Sequence, residues 1–178
     1  MRIVGIAAVA ASLLAGSAHG EDLKPFDFKG FTTGMTLESV RRDAMISSCT
    51  PGVFRGVAMT QCNVADQSGG IGGYDAIRLR VTFDEVSLIM LNSMVPRAGF
   101  EAIGAAFQTK YGPPCAVDEP TLQNGYGANF PQLVYSWCFS DGTLQLSRFA
   151  TSNVKLSEIA FASKRYLARP APAAPVNF

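Results

Sequence analysis

The side chains available for catalysis are limited by a near absence of histidine. His19 is the only histidine among the 178 residues, and it lies in an N-terminal segment that we expect to be removed. Ser-His-Asp and Cys-His sites need imidazole as the general base, and the common zinc, copper and non-haem iron sites mostly need it as a ligand. A calcium-loop pattern is also missing. We therefore predict no metal, no cofactor and no histidine-dependent catalysis.

Carboxylate chemistry remains open as a route to catalysis. A glycosidase-like hydrolase needs two acids a few ångströms apart in one cleft. The candidate acids are Asp66, Asp75, Asp118, Glu119 and Asp141. The adjacent pair Asp84 and Glu85 is typical of a solvated turn, because neighbouring strand residues point to opposite faces. No catalytic residue is assigned, and the hydrolase is kept as an alternative.

Four cysteines are present, Cys49, Cys62, Cys115 and Cys138. An even number in an exported chain is typical of a disulfide framework, and four cysteines allow three connectivities. No two of them have the C-x-x-C spacing of a redox motif or metal knuckle. We favour Cys49 with Cys62 and Cys115 with Cys138. Each pair joins two cysteines that follow one another in the chain order of cysteines, and each links the end of a predicted helix to the next segment of the chain. In the loop-entropy model, each disulfide bond contributes about 3 kcal/mol to the free energy of unfolding.

The N-terminal segment predicts export. Residues 1–20 combine Arg2, a short apolar run and the small-residue end Ala18-His19-Gly20, as in a secretory signal peptide. The apolar run is too short to span a bilayer. Ser17 occupies the place where a lipoprotein cleavage box would have cysteine. We expect a chain that starts at Glu21, is periplasmic or secreted, and has neither a membrane span nor a lipid anchor.

Length and charge limit the number of domains and the classes of partner that we expect. Residues 21–167 have the size of a single domain, and the Pro/Ala-rich residues 168–178 are typical of an extended tail. The formal net charge is +1, with the charges scattered along the chain. Nucleic acid and anionic membrane surfaces are therefore not expected as partners, since both call for a basic patch.

The periodicity of apolar residues predicts two helices. The first covers about residues 36–47, with Thr36 as N-cap and Leu37, Val40 and Ala44 on one face. The second is predicted within "PRAGFEAIGAAFQTKYGPP", where Phe100, Ile103, Phe107 and Tyr111 recur at helical spacing and Gly112 ends the helix before two prolines.

The other segments read as strands. The stretch "AIRLRVTFDEVSLIMLNSMV" predicts a hairpin, "QLVYSWCFSDGTLQLSRF" predicts a second one around Asp141-Gly142, and "NVKLSEIAFASKRY" predicts a closing strand. The glycine-rich "DQSGGIGGYD" precedes a strand, so it is a connection and no phosphate cradle. The fold class predicted is α+β, with two helices packed on a mainly antiparallel sheet, and two tandem helix-plus-hairpin modules are one form of it.

Two sets of strand residues are candidates for a binding surface. Arg78 and Arg80 stand together on the outer face of the first hairpin, where they could bind an anion, although a solvated face is commoner. Tyr135 and Trp137 share a face of the second hairpin with Phe139. Burial beneath the helix is the favoured interpretation for this second set, and an exposed ligand surface is the alternative.

Short motifs resemble a known family. The segment "GMTLESV" resembles the helix start of the SmpA/OmlA (BamE-like) envelope proteins, and "KYGPP" with "YSWCFSDGTLQL" is similar to the helix exit and hairpin of the same modules. The β-lactamase inhibitor protein is built from similar modules in tandem. The resemblance implies a layered α+β fold and non-catalytic work in the envelope, and it carries over no binding residues.

We therefore predict an exported, non-catalytic protein that binds another protein or an envelope component. The alternatives are a carboxylate-dependent hydrolase and an inhibitor of an exported enzyme, for which the glycine-rich loop "QSGGIGGY" is the candidate contact.

Overall fold

The computed structural model of the chain describes residues 23–54, 57–65, 70–123, 127–150 and 153–169. The predicted signal peptide, the predicted tail beyond residue 169, Asp66 and part of the glycine-rich loop lie outside these ranges. The described residues form one large sheet and two small ones.

The N-terminal part is a short hairpin followed by a short helix. Strands β1 (Asp27–Phe28) and β2 (Phe31–Thr32) pair with each other, and helix α1 runs from Leu37 to Arg42. The hydroxyl of Thr36 accepts the backbone N–H of Ser39 at 3.2 Å. Thr36 is therefore the N-cap of α1, as predicted.

The first predicted helix, residues 36–47, is too long. Helix α1 ends at Arg42, and Ala44 adopts a φ of 52°, which the helix cannot continue through. The chain then enters strand β3 (Ile46–Phe54). The predicted helix was too long because Leu37, Val40 and Ala44 have helical spacing. From Ile46 onwards, however, the chain pairs with the next strand and belongs to the sheet.

The remaining strands of the described chain are β3 (Ile46–Phe54), β4 (Val57–Val64), β5 (Arg78–Phe83), β6 (Leu88–Pro96), β7 (Ala116–Asp118), β8 (Thr121–Gln123), β9 (Asn129–Pro131), β10 (Val134–Cys138), β11 (Gly142–Ser147) and β12 (Leu156–Ser163). The large sheet has eight of these strands and is antiparallel throughout, in the order β3-β4-β5-β6-β12-β11-β10-β7. Strands β8 and β9 form a separate pair.

Both predicted hairpins and the closing strand are present. They correspond to β5–β6, β10–β11 and β12, and β12 pairs with β6 at the centre of the sheet. Strands β3 and β4 were not predicted. Pro51 and Gly52 lie inside β3, and both residues argue against a strand, but β3 is at the sheet edge, where proline is tolerated.

Two further helices complete the described chain. Helix α2 (Phe100–Tyr111) follows a 3-10 turn at Arg97–Gly99, and helix α3 (Lys164–Leu167) follows β12 directly. Helix α2 ends at Gly112, whose φ of 86° suits glycine. The second predicted helix and its glycine stop are therefore confirmed.

The predicted fold class, two helices packed on a sheet, is wrong. The described chain is mostly β, with 50% strand and 19% helix, and among the described residues only one helical run exceeds six residues. That run has 15 residues and includes the 3-10 turn with α2. The sequence pattern overstated the length of α1 and missed strands β1 to β4 and β7 to β9, so the expected helical share was too high.

The core lies on one face of the large sheet. Helix α2 contributes Phe100, Ile103 and Phe107, and the N-terminal hairpin region contributes Phe26 and other buried rings. Phe26 stacks on Phe161 of β12, with ring centroids 3.6 Å apart. A single connected cluster of buried residues joins these helices and strands, so both ends of the sheet depend on the same apolar layer.

The disulfides are Cys49–Cys62 and Cys115–Cys138, the pairing that sequence order favoured. The role expected of the first bond was wrong in part. Cys49 and Cys62 are register partners in β3 and β4, so their bond joins two strands and not a helix end to a loop. Cys115 lies three residues after Gly112 and ties the exit of α2 to β10, as predicted.

Candidate functional site

The two faces of the large sheet carry different side chains. In β5, Leu79, Val81 and Phe83 are fully buried on the covered face, and Arg78 and Arg80 alternate with them on the opposite face. The register continues this opposite face across the sheet through Asn63, Asn92 and Gln145. We call it the open face, because α1, α2 and the N-terminal hairpin all lie on the other side.

A polar groove crosses the open face near one edge of the sheet. Its volume is about 300 Å³. Strands β3, β4 and β5 each contribute two side chains, which are Ser48, Thr50, Gln61, Asn63, Arg78 and Arg80. We call this depression the basic groove, because two arginines are its only charged residues.

Hydrogen bonds hold the walls of the basic groove in place. The Nη1 of Arg80 donates to Oε1 of Gln61 at 2.7 Å, and Nδ2 of Asn63 donates to the hydroxyl of Ser48 at 2.8 Å. Neighbouring strands therefore fix the position of one guanidinium before any ligand is present. A fixed donor loses less conformational freedom on binding than a mobile one.

The charges of the two arginines are not balanced by the described residues. None of the ion pairs found there includes Arg78 or Arg80. The Nε of Arg80 is also buried and donates to no group in that part of the chain. A buried donor without an acceptor costs about 1 to 3 kcal/mol. The unsatisfied Nε therefore offsets part of what the hydrogen bond from Nη1 to Gln61 contributes to folding stability.

A second groove, about 430 Å³ in volume, adjoins the basic groove and shares Thr50 and Gln61 with it. Its other lining residues are mainly apolar: Pro51, Gly52, Val53, Met59, Thr82, Met90 and Tyr166. We call it the apolar groove. Val53, near the end of β3, is one of the most exposed large apolar residues described, so this groove opens to solvent beside the charged one.

Helix α3 forms one wall of the apolar groove and is anchored by Asp84. The Asp84 carboxylate accepts the backbone N–H groups of Val86 and Ser87, and it forms ion pairs with Arg165 and Arg169. Its side chain is only 2% exposed. The predicted solvated turn at Asp84 is therefore wrong, whereas Glu85 is exposed as expected.

The pKa of Asp84 reflects this anchoring. Burial by itself raises the pKa of the carboxyl, but the N–H groups of Ser87 and Val86 and the charges of Arg165 and Arg169 outweigh it, so that the pKa is lowered from 3.8. Asp84 is thus a charged structural group. Its carboxylate is bound by four donors of the fold itself, which does not suit a catalytic base.

The aromatic candidates lie on the covered face. Trp137 is 3% exposed, and its ring packs edge-on against Phe107 of α2 with centroids 5.3 Å apart. Its Nε1 donates to the carbonyl of Gly112 at 2.9 Å. Tyr135 stacks on Phe100. The favoured interpretation, burial beneath the helix, is confirmed for Trp137, whereas Tyr135 is half-buried. These two residues do not join Arg78 and Arg80 in one surface.

Asp66 lies outside the described ranges, and the described candidate acids of the hydrolase alternative, Asp75, Asp118, Glu119 and Asp141, do not line a common groove among the three described here. Asp141 accepts the backbone N–H of Phe26 and the hydroxyl of Thr33, which ties the N-terminal segment to the β10–β11 turn. Asp75, Asp118 and Glu119 line neither the basic groove, nor the apolar groove, nor a third and larger one at the end of the sheet. Within the described ranges, no cluster of three potential metal ligands occurs either.

A third groove, about 590 Å³, lies around the end of the sheet between α1, the β3–β4 hairpin and the β5–β6 turn. It contains the carboxylates of Glu38, Asp84 and Glu85. Asp84 is already bound by four donors, and Glu38 and Glu85 are solvent-exposed helix and turn residues. We therefore give the two smaller grooves of the open face more weight as a site than this larger one.

Sequence reasoning identified Arg78 and Arg80 but missed their partners on β3 and β4. The missed residues are Ser48, Thr50, Gln61 and Asn63. A usable signal was present at the end of "VAMTQCNV", where Cys62 and Val64 alternate with the polar Gln61 and Asn63 in the manner of a half-buried strand.

Comparisons with known proteins add no assignment. No protein-family model, curated protein or solved structure matches this chain. Among the helices of the described residues, none has the length and apolar character needed to cross a bilayer.

Proposed function

We propose that this chain is an exported, non-catalytic protein that binds another protein or an envelope component through the open face of its sheet. The observation that carries the proposal is the pair of adjacent grooves on that face, one basic and one apolar. An arginine pair beside an apolar depression is typical of recognition surfaces, where arginine is enriched and apolar anchors fill pockets.

Two further observations support the proposal. The two disulfides are compatible with an oxidising compartment, where such bonds persist. The described titratable groups in the grooves are arginines, the phenol of Tyr166, one acid engaged in structural contacts and two exposed acids. The open face therefore suits binding better than proton transfer.

The experiment is a capture assay from envelope extract with the chain starting at Glu21. Arg78→Glu and Arg80→Glu reverse the charge of the basic groove. Arg42→Glu is the matched control, because the Arg42 side chain on α1 is 72% exposed and lines neither groove of the open face. We expect a stoichiometric partner that the wild type and the control retain and that both groove variants lose.

Two outcomes would contradict this proposal. Equal capture by all four proteins would move the binding surface away from the open face, and hydrolysis of a glycan by the purified protein would favour the carboxylate-dependent alternative. If the captured partner is an exported enzyme, an assay of its activity with and without this protein decides whether it is inhibited.

A further inference from the structure

Resting on the proposed function, we propose that the open face recognises an extended protein segment with an acidic side chain two residues away from a large apolar side chain. The carboxylate would bind Arg80 and Arg78, and the apolar side chain would occupy the apolar groove between Met59, Met90 and Tyr166. The juxtaposition of these two grooves defines the class of ligand.

Charge complementarity supports the acidic half of the motif. Arg78 and Arg80 are two positions apart on β5, so their side chains share the open face. Gln61 occupies Nη1 of Arg80 and thereby orients the guanidinium. A planar guanidinium is suited to two parallel hydrogen bonds with a carboxylate. No ion pair of the described residues neutralises either arginine, so both positive charges are available to a ligand carboxylate.

The spacing of the two grooves supports the extended conformation. Arg80 lies in the basic groove and Thr82 in the apolar groove, two residues further along β5. Strand geometry puts them about 7 Å apart. An extended ligand presents side chains i and i+2 on one face at the same separation. A carboxylate and an apolar side chain spaced in this way can therefore enter both grooves together.

The geometry favours a protein segment over an anionic lipid. The apolar groove is open and bounded by Tyr166, Val53 and the sheet itself, and its volume of about 430 Å³ fits one or two side chains better than long acyl chains. Anionic lipid, a second copy of this chain and a free anion are the competing occupants, and each gives a distinct result in the test.

The test is a titration of the full exported chain, labelled with ¹⁵N, with blocked peptides. The probes are acetyl-Gly-Glu-Ser-Leu-Gly-amide and its reversed form, acetyl-Gly-Leu-Ser-Glu-Gly-amide, because strands can bind in either direction. The matched controls replace Glu by Gln or Leu by Ser. We expect one probe to shift the amide resonances of β4 and β5 with a Kd of about 1 mM or below.

The contact between the peptide carboxylate and Arg80 can be tested from both sides. Replacing Glu by Gln in the peptide, or Arg80 by Gln in the protein, should weaken binding about tenfold, as expected for a charge-assisted hydrogen bond. Combining both changes should weaken it little further, since each removes the same contact. Arg42→Gln should bind both probes like the wild type.

Several results would overturn the inference. These are absence of binding by both probes, equal binding of the Gln peptide, shifts that acetate alone reproduces, binding to phosphatidylglycerol vesicles in place of peptide, and a dimer that Arg80→Gln dissociates. If the probes fail while capture from extract still depends on Arg78 and Arg80, the ligand chemistry is wrong and the proposed function stands. If capture also fails to depend on these arginines, both are wrong.

Discussion

The covered and open faces of the large sheet belong to the same eight strands but are built by different rules. The covered face packs Leu79, Trp137 and Phe161 against helices and the N-terminal hairpin. The open face carries Arg80 with an unsatisfied buried donor and a guanidinium without an ion pair in the described residues. We infer that the first face supplies folding free energy and that the second is retained for binding at some cost in stability.

The largest loss of stability is expected when a large aromatic side chain is removed from the covered face. Phe107 is 4% exposed and packs on Trp137 and Phe28. Phe107→Ala should lower the free energy of unfolding by about 3 to 5 kcal/mol, from lost burial and the resulting cavity. Guanidinium denaturation measures this. Met94→Ala on the open face is the control, with an expected loss of about 1 kcal/mol or less.

The second prediction concerns the bond that ties α2 to the sheet. Cys115→Ser removes the Cys115–Cys138 bond and should cost about 2 to 5 kcal/mol. Because Cys115 lies outside the open face grooves, the folded fraction should keep its binding activity. A variant that melts like the wild type but no longer binds would assign a functional role to this cysteine and contradict the separation of the two faces.

Asp84→Asn tests the ion pairs by which Asp84 anchors helix α3. The substitution should cost about 2 kcal/mol near neutral pH, because a buried carboxylate with two ion pairs and two backbone hydrogen bonds is neutralised. Glu85→Gln, an exposed neighbour, should change stability by about 0.5 kcal/mol or less. Urea denaturation of the three proteins side by side gives both values.

The same residue predicts a pH dependence. The folded-state pKa of Asp84 is below its ordinary value of 3.8, so its stabilising contribution is present above that value and is lost as the pH falls through the folded-state pKa. Between about pH 5 and about pH 2, the wild type should lose more stability than Asp84→Asn. Parallel pH curves for the two proteins would show that the carboxylate is not stabilised by folding.

Gly112→Ala should have a smaller effect than Phe107→Ala, Cys115→Ser or Asp84→Asn. The φ of 86° at Gly112 is strained for alanine, while a Cβ at this position would meet nothing within 4 Å. The cost is therefore limited to the backbone, about 1 kcal/mol. Thermal unfolding measures it. A loss as large as that of Cys115→Ser would mean that Gly112 also controls the Trp137 contact to its carbonyl.

The sequence predicted those elements whose local signals agree with the fold. Helix α2, its stop at Gly112, the β5–β6 and β10–β11 hairpins and the disulfide partners all have strong short-range patterns, and all are present. Strand β3 contains Pro51 and Gly52, and its conformation is set by pairing with β4 and the bond between Cys49 and Cys62. Local propensity could not reveal that pairing.

The difference between local patterns and long-range contacts also explains which residues of the candidate site could be predicted. Arg78 and Arg80 could be assigned to one face from the alternation of β5 alone. Gln61 and Asn63 could not be placed beside them without the register of β4 on β5. Asp84 was taken for a solvated residue because its partners, Arg165 and Arg169, lie about 80 positions away in sequence. Long-range contacts therefore limited both the fold and the site prediction.

The most direct test of the central claim is the free energy of unfolding of Arg80→Met. Methionine keeps much of the side-chain length and removes the charge and the unsatisfied Nε donor. If the open face is retained for binding and not for folding, the variant should be as stable as the wild type or more stable by about 1 kcal/mol. A loss of more than about 1 kcal/mol with an unchanged denaturant dependence would show that Arg80 is a structural residue and would contradict the account.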